Sequence, residues 1–373
     1  MERKLFTPLE IGPITLKHRV VMAPLTRNRS EQPGDIPGDM MLEYYTQRTS
    51  DGGFIISEAT PISISARGWH GAPGLYSDQQ VEGWKKIVDA VHARGGHMFS
   101  QLWHTGRASH IELRDGQMPA TASVNPSYWE DKSHLVSAPS GWFQPSPHRA
   151  LEISEIPAII EDYRNAAARA KAAGFDGVEL HSANGYLPDQ FLQDGSNKRT
   201  DAYGGSIENR SRFLLEVVEA LVSVWGGERV AVRIAPSGSW NGMSDSNPQA
   251  LFAYVAEQLN RFGLAYLHIV EPRVKGNVVI AEGQAPVAAQ QLREIFKSKI
   301  IAAGGFEPDT AEAVVESGDA DAVAFGRHFV SNPDLPKRIE QGLPLNDHDR
   351  DTFYTFDARG YTDYPFYKEL TTA

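Results

Sequence analysis

Gly174-Phe175-Asp176-Gly177-Val178-Glu179-Leu180-His181-Ser182-Ala183-Asn184-Gly185-Tyr186 is the stretch on which the fold turns. Ahead of it lies a helical pattern, Glu155–Ala173, with Ser154 at its start and Gly174 where the helix should stop. Gly177–Leu180 is too short for a helix and reads as a strand. Polar residues of several kinds follow at once. A helix, a short strand and then a cluster of reactive side chains is one unit of a parallel α/β protein.

The unit recurs in both directions. Further strands are expected at Val20–Ala23, Phe54–Ser57, His97–Leu102, Val230–Ile234, Tyr266–Val270, Ile300–Ala303 and Ala322–Phe325. Helical patterns fall at Met40–Thr49, Gln79–Arg94, Ile207–Trp225, Pro248–Phe262, Pro286–Phe296, Asp309–Ser317 and near Asp334–Gln341. Ser206 before Ile207, Asn247 before Pro248, and Gly263 are start and stop signals. Eight strand–helix units in series predict a parallel sheet, and that number favours a closed (β/α)8 TIM barrel. An open doubly wound sheet would advertise G-x-G-x-x-G after its first strand, and the chain has no G-x-G.

Two segments stand outside the repeat. Lys4–Leu16 reads as a hairpin turning at Gly12-Pro13 and closing the barrel floor. Thr105–Arg149, rich in Pro, Ser and Trp, is a long insertion after the third strand, of the kind that forms lids or binding loops. No linker divides the 373 residues, so one domain over 1–373 is expected. Barrels run from roughly 250 to more than 400 residues when they carry insertions.

Thirty-six basic against forty-seven acidic residues leave a net charge of −11, which disfavours nucleic acid and anionic membranes as partners. The absence of cysteine removes disulfides, thiolate nucleophiles and Cys-held zinc or iron–sulfur sites. The N-terminus has no apolar h-region and the C-terminus no retention signal, so a soluble cytoplasmic protein acting on small molecules is expected.

Barrel chemistry sits at the strand ends. Gly304 and Gly305 after strand seven, with Gly326 and Arg327 after strand eight, suit a phosphate through backbone N–H groups and one guanidinium. Thr26, Ala59, Gln101 and Arg233 come from four different strands and suit the edge of a flat heterocycle; alternatively, Arg233 meets Glu58 or Glu179. His181 and Asn184, three apart, would face one way in a helical turn and donate to one oxygen. Tyr186, whose phenol has an ordinary pKa near 10, can supply a proton. Among the 12 histidines, His104 with His110 and His268 with Glu271 lack a third ligand at a recognised spacing, so no metal is expected.

These strand ends resemble the Old Yellow Enzyme family of FMN-dependent ene-reductases. The matching segments include Val21-Met22-Ala23-Pro24-Leu25-Thr26-Arg27, Gln101-Leu102-Trp103-His104-Thr105-Gly106-Arg107, Gly174–His181, Ala183–Leu187, Arg199–Arg210 and Phe325-Gly326-Arg327. Val270-Glu271-Pro272-Arg273 and Gly360–Phe366 look most like the 12-oxophytodienoate reductase branch, with the N-ethylmaleimide reductases similar too. The resemblance implies non-covalent FMN, reduced by NADPH or NADH. It implies that Pro24, Leu25, Thr26, Ala59, Gln101 and Arg233 hold the flavin ring, and that Gly304, Gly305, Gly326 and Arg327 hold its phosphate. His181 and Asn184 would grip a substrate carbonyl, Tyr186 would protonate Cα, and Trp69, Trp103 and Tyr354 would shape the pocket. The implied activity is ping-pong reduction of the C=C bond of α,β-unsaturated carbonyl compounds, with nitro groups and nitrate esters as further acceptors. Trp69 stands where relatives commonly have Tyr, and the insertion from Ser123 to Arg149 matches no branch closely. Monomer and homodimer stay equally open. Two rivals remain: a phosphate-binding barrel aldolase, which lacks a strand-end Lys here, and a flavin carrier, which would not need Tyr186.

Overall fold

A computed structural model describes residues 3–275, 278–279 and 287–368. Eight parallel strands form a closed ring: β1 Val20–Met22, β2 Phe54–Ile56, β3 His97–Trp103, β4 Gly177–Ser182, β5 Val230–Ile234, β6 Tyr266–Val270, β7 Lys299–Ala303 and β8 Ala322–Phe325. Each pairs with the next, β8 pairs with β1 through Phe325↔Met22, and β3 pairs with β4 through Gln101↔Glu179. The fold is a TIM barrel, as the repeat predicts. Helices α1 Asp39–Arg48, α2 Asp78–Ala93, α3 Ile156–Ala172, α4 Ile207–Trp225, α5 Pro248–Leu259, α6 Ala289–Arg293, α7 Pro308–Glu316 and α8 Leu335–Gln341 lie between or after the strands. Pro286, where the sixth helical pattern should begin, lies outside the described residues.

Strand alternation divides the apolar residues into two layers. Val20, Met22, Ile55, Met98, Val232, Leu267, Ile300, Ala302 and Val323 join the helices in one core cluster. Val21, Ala23, Phe54, Ile56, Phe99, Ala231, Tyr266, Ile301, Ala303, Ala322 and Ala324 form a second cluster inside the barrel. The hairpin Leu9–Ile11/Ile14–Leu16 turns at Gly12-Pro13, and its Leu9, Ile11, Ile14 and Leu16 join that inner cluster as the floor. The same parity dictates where polar residues go. Gln101 follows Phe99 by two, Arg233 follows Ala231, and His268 follows Tyr266, so all three point inward above the apolar filling.

The insertion after β3 has structure of its own. Ala120–Thr121 pairs with Arg149–Ala150, a short helix covers Pro126–Glu130, and Val136–Ala138 pairs with Gly141–Phe143 as a hairpin. No helix among the described residues is long and apolar enough to cross a membrane.

Candidate active site

Above the apolar filling lies a buried polar layer. Glu179 Oε1 accepts from Gln101 Nε2 at 2.7 Å, and Glu179 Oε2 accepts from His268 Nδ1 at 2.9 Å. Burial pushes the Glu179 carboxyl up, but His268, Arg233 and Gln101 outweigh it and hold it below its usual range. Burial lowers the His268 pKa, so the pair is a carboxylate beside a neutral imidazole. Arg233, level with His181 and His268 in the strand register, is the charge that faces this carboxylate. Its guanidinium makes no protein hydrogen bond among the described residues, and its Nε is buried without a partner. Of the two alternatives read from sequence, Glu179 is near Arg233, yet its donors stay free for another acceptor. Glu58 turns elsewhere, accepting from the Arg27 N–H and the Tyr45 hydroxyl.

A cavity of about 210 Å³ stands on this layer. Pro24, Leu25, Thr26, Ala59, Gln101 and Arg233 line it, as do Gly304, Gly305, Gly326 and Arg327. Gly304 and Gly305 adopt φ of +107° and +68°, which leave the backbone bare toward the cavity. A side chain at Gly304 would press on Val274 at 3.0 Å and on the Glu271 carbonyl at 3.2 Å. Arg327 has no hydrogen-bonded partner for its guanidinium among the described residues. Two guanidiniums with free donors at one cavity, joined by amide and hydroxyl groups, fit a flat heterocycle with an anionic tail.

His181, Asn184 and Tyr186 line the same cavity. Their convergence does not come from a helical turn, as the spacing suggests. His181 lies within β4, Asn184 has a left-handed φ of +58°, and Tyr186 immediately precedes the short helix Leu187–Leu192. The tight turn after the strand, rather than helical periodicity, gathers them. Burial, with Arg233 and His268 nearby, holds His181 well below its ordinary pKa, so its imidazole is neutral. Burial pushes the Tyr186 phenol far above its ordinary value, with Tyr128 and Tyr354 adding to the effect, so it keeps its proton.

Trp103 does not line the cavity. Inward but fully buried, it stands behind the site, its ring 4.9 Å from Tyr186 and 6.4 Å from His181. Its part is to back those two rings. Trp69 and Tyr354 do line the cavity, 5.1 Å apart, and Trp142 from the insertion meets Trp69 edge-on at 5.3 Å. Tyr354 arrives from the far end of the chain because Arg27 and Arg29 bind its neighbour. Arg27 Nε and Arg29 Nη1 donate to the Phe353 carbonyl at 3.1 and 2.8 Å. Trp240, Phe306, Val274 and Phe353 also line the cavity and carry no motif that would expose them in the sequence. His268 and Glu271 are not a ligand pair: Glu271 Oε1 accepts from the Ala289 N–H at 2.9 Å, while His268 turns inward to Glu179.

Comparison with known proteins bears on this geometry. Residues 4–346 match the NADH:flavin oxidoreductase / NADH oxidase family. The chain is 46% identical over 363 residues to 12-oxophytodienoate reductase 2 of Arabidopsis thaliana, covering 97% of this chain and 95% of that protein. It is 46% identical over 372 residues to 12-oxophytodienoate reductase 1 of Oryza sativa subsp. japonica, covering 98% and 94%. Among solved structures, morphinone reductase in complex with tetrahydroNAD superposes with a TM-score of 0.90 at 48% identity, covering 99% of both chains. The old yellow enzyme homologue from Zymomonas mobilis gives 0.91 at 42% identity, covering 97% of this chain and 99% of its own.

Proposed function

Because the chain belongs to the NADH:flavin oxidoreductase / NADH oxidase family, and is thus an FMN- and NAD(P)H-dependent oxidoreductase of the Old Yellow Enzyme type, we propose that it reduces the C=C bond of α,β-unsaturated carbonyl compounds. One observation carries the reading: His181, Asn184 and Tyr186 share a cavity with the free donors of Arg233 and Arg327. Flavin-type ligands fit those donors. Arg233 and Gln101 would hold the pyrimidine edge of the ring, with Thr26 at a ring carbonyl and Pro24, Leu25 and Ala59 packing on it. Gly304, Gly305, Gly326 and Arg327 would take the phosphate. When bound, FMN supplies hydride that originates from the nicotinamide.

The protein's own groups do the rest. Neutral His181 and the Asn184 amide each donate to the substrate carbonyl oxygen, drawing electron density from Cβ so that it accepts hydride. Negative charge that develops on that oxygen meets two N–H donors in a site whose burial strengthens both. Tyr186 then delivers its phenolic proton to Cα. Burial raises its pKa, so the group holds its proton until a strongly basic carbon takes it. Nicotinamide and alkene need the same space beside His181 and Asn184, so they bind in turn and the kinetics are ping-pong. Nitro groups and nitrate esters, which also present planar oxygens to these donors, are secondary acceptors.

A visible absorption spectrum of the purified protein tests the whole reading. Flavin bands that bleach on anaerobic NADPH and return on 2-cyclohexenone are expected. Bands that bleach and stay bleached with every enone would refute the acceptor class.

A further inference from the structure

The peptide joining Asn184 to Gly185 is held at both ends by side chains. The Asn184 carbonyl accepts from Asn241 Nδ2 at 2.9 Å, and the Gly185 N–H donates to Asp189 Oδ2 at 2.9 Å. A peptide plane fixed at both ends cannot turn, and this keeps Asn184 in the left-handed conformation that few side chains adopt. Asn241 is itself fully engaged. The Tyr128 hydroxyl donates to its Oδ1 at 3.1 Å, and Arg107 Nη2 donates to its carbonyl at 3.0 Å. The Arg107 guanidinium lies over the Tyr128 ring, 4.2 Å from its centre.

The fit between these parts is close. A Cβ at Gly185 would stand 2.6 Å from the Asn241 Cβ and 2.8 Å from the Trp240 carbonyl oxygen, so only glycine allows the contact. Tyr128 comes from the short helix of the insertion, is buried, and packs in one cluster with Trp103, Tyr186 and Ala59. Neither Tyr128 nor Asn241 lines the cavity. Their hydrogen bonds reach the cavity through Asn184 and through Trp240, the cavity residue beside Asn241, while the Tyr128 ring also packs in the cluster that holds Tyr186.

We propose that Asn241 and Tyr128 are positioning residues that hold the Asn184 amide at the substrate oxygen. The insertion over 105–149 is then a working part of the carbonyl site through Tyr128, not a cover laid over it. This inference rests on the reading of Asn184 as a carbonyl donor, and a double-mutant cycle separates the two.

Tyr128→Phe removes one hydroxyl and keeps the ring. Asn184→Gly removes the amide while still permitting the left-handed backbone. In the otherwise unaltered holoenzyme, Tyr128→Phe should lower kcat/KM for 2-cyclohexenone about threefold to tenfold, the range of one neutral hydrogen bond. In the Asn184→Gly background the same substitution should change it less than about twofold, because the group being positioned is gone. The calorimetric Kd of cyclohexanone, which is not reduced, should follow the same pattern. Asn241→Gly, which tolerates φ of +56°, should reproduce the Tyr128→Phe loss. Equal losses in both backgrounds would overturn the proposal while leaving Asn184 as a donor. No loss on Asn184→Gly alone would overturn the donor reading and the proposal with it.

Discussion

Tyr186→Phe separates the two halves of the reaction. The Tyr186 ring is 92% removed from solvent, its exposure being 8%, and it packs edge-on against Trp103 and His181, each with centroids 4.9 Å away. Phenylalanine keeps those contacts. The hydroxyl makes no hydrogen bond among the described residues, so its loss should alter folding stability by less than about 0.5 kcal/mol. The proposed proton donor, however, is gone. A positioned general acid is worth about 10²- to 10⁴-fold, or about 3–5 kcal/mol of activation free energy. Anaerobic stopped-flow spectroscopy reads both halves: bleaching of the flavin on mixing with NADPH, then its return on mixing with 2-cyclohexenone. Bleaching should be unchanged and the return slowed by that factor. The unsubstituted enzyme should show no ionisation of Tyr186 in the second half below pH 10, since burial raises this phenol. A variant that reoxidises with the enone at the original rate would refute the assignment of the proton to Tyr186.

Other substitutions test other layers. Arg233→Met should weaken FMN binding about tenfold to a hundredfold, the worth of a hydrogen bond from a charged group, measured by release of FMN fluorescence on dilution; unchanged affinity would remove Arg233 from the flavin site. Glu58 is buried and pushed up to about 7 from 4.5. The folded state therefore keeps a proton that the unfolded chain loses, and this contribution to stability disappears as pH rises from 4.5 through about 7, by up to about 3 kcal/mol. Glu58→Gln should flatten that slope and raise the denaturation midpoint at pH 8; a steeper slope would contradict the sign. Trp142→Ala should raise KM for aryl-substituted enones while leaving 2-cyclohexenone within about twofold, because only a large substituent reaches the rim where Trp142 meets Trp69; equal shifts for both would count against a rim role.

Strand positions were legible because alternation and burial write themselves into short apolar runs. Val230–Ile234 and Tyr266–Val270 appear in the structure with the limits their sequence suggests. That residues from several strand ends would line one cavity was legible for the same reason, since a barrel brings those ends together. Trp103 shows the limit of that logic: it points inward by parity, yet His181 at the end of β4 and Tyr186 after the turn over 183–186 stand in front of it. Asn184 reaches the cavity beside His181 for a reason its spacing does not give. Phe306 and Phe353 lie on irregular loops and Trp240 opens a single 3-10 turn, where no period links a residue to a direction. Contacts spanning most of the chain, such as Arg29 with Phe353, leave no local trace at all.

That last contact bears on how the protein is made. Arg27 and Phe353 are separated by 326 residues, and β1 finds its partner β8 only when both exist. At about 5–20 residues per second, a ribosome needs tens of seconds to deliver the second half of each pair. Throughout that interval the guanidiniums of Arg27 and Arg29 lack the carbonyls that later surround them, and the wall carrying Tyr354 does not exist. The cavity is therefore complete only after Phe353 and Tyr354 have been made, and a chain released short of its final segment would emerge as a nearly complete barrel with an open side.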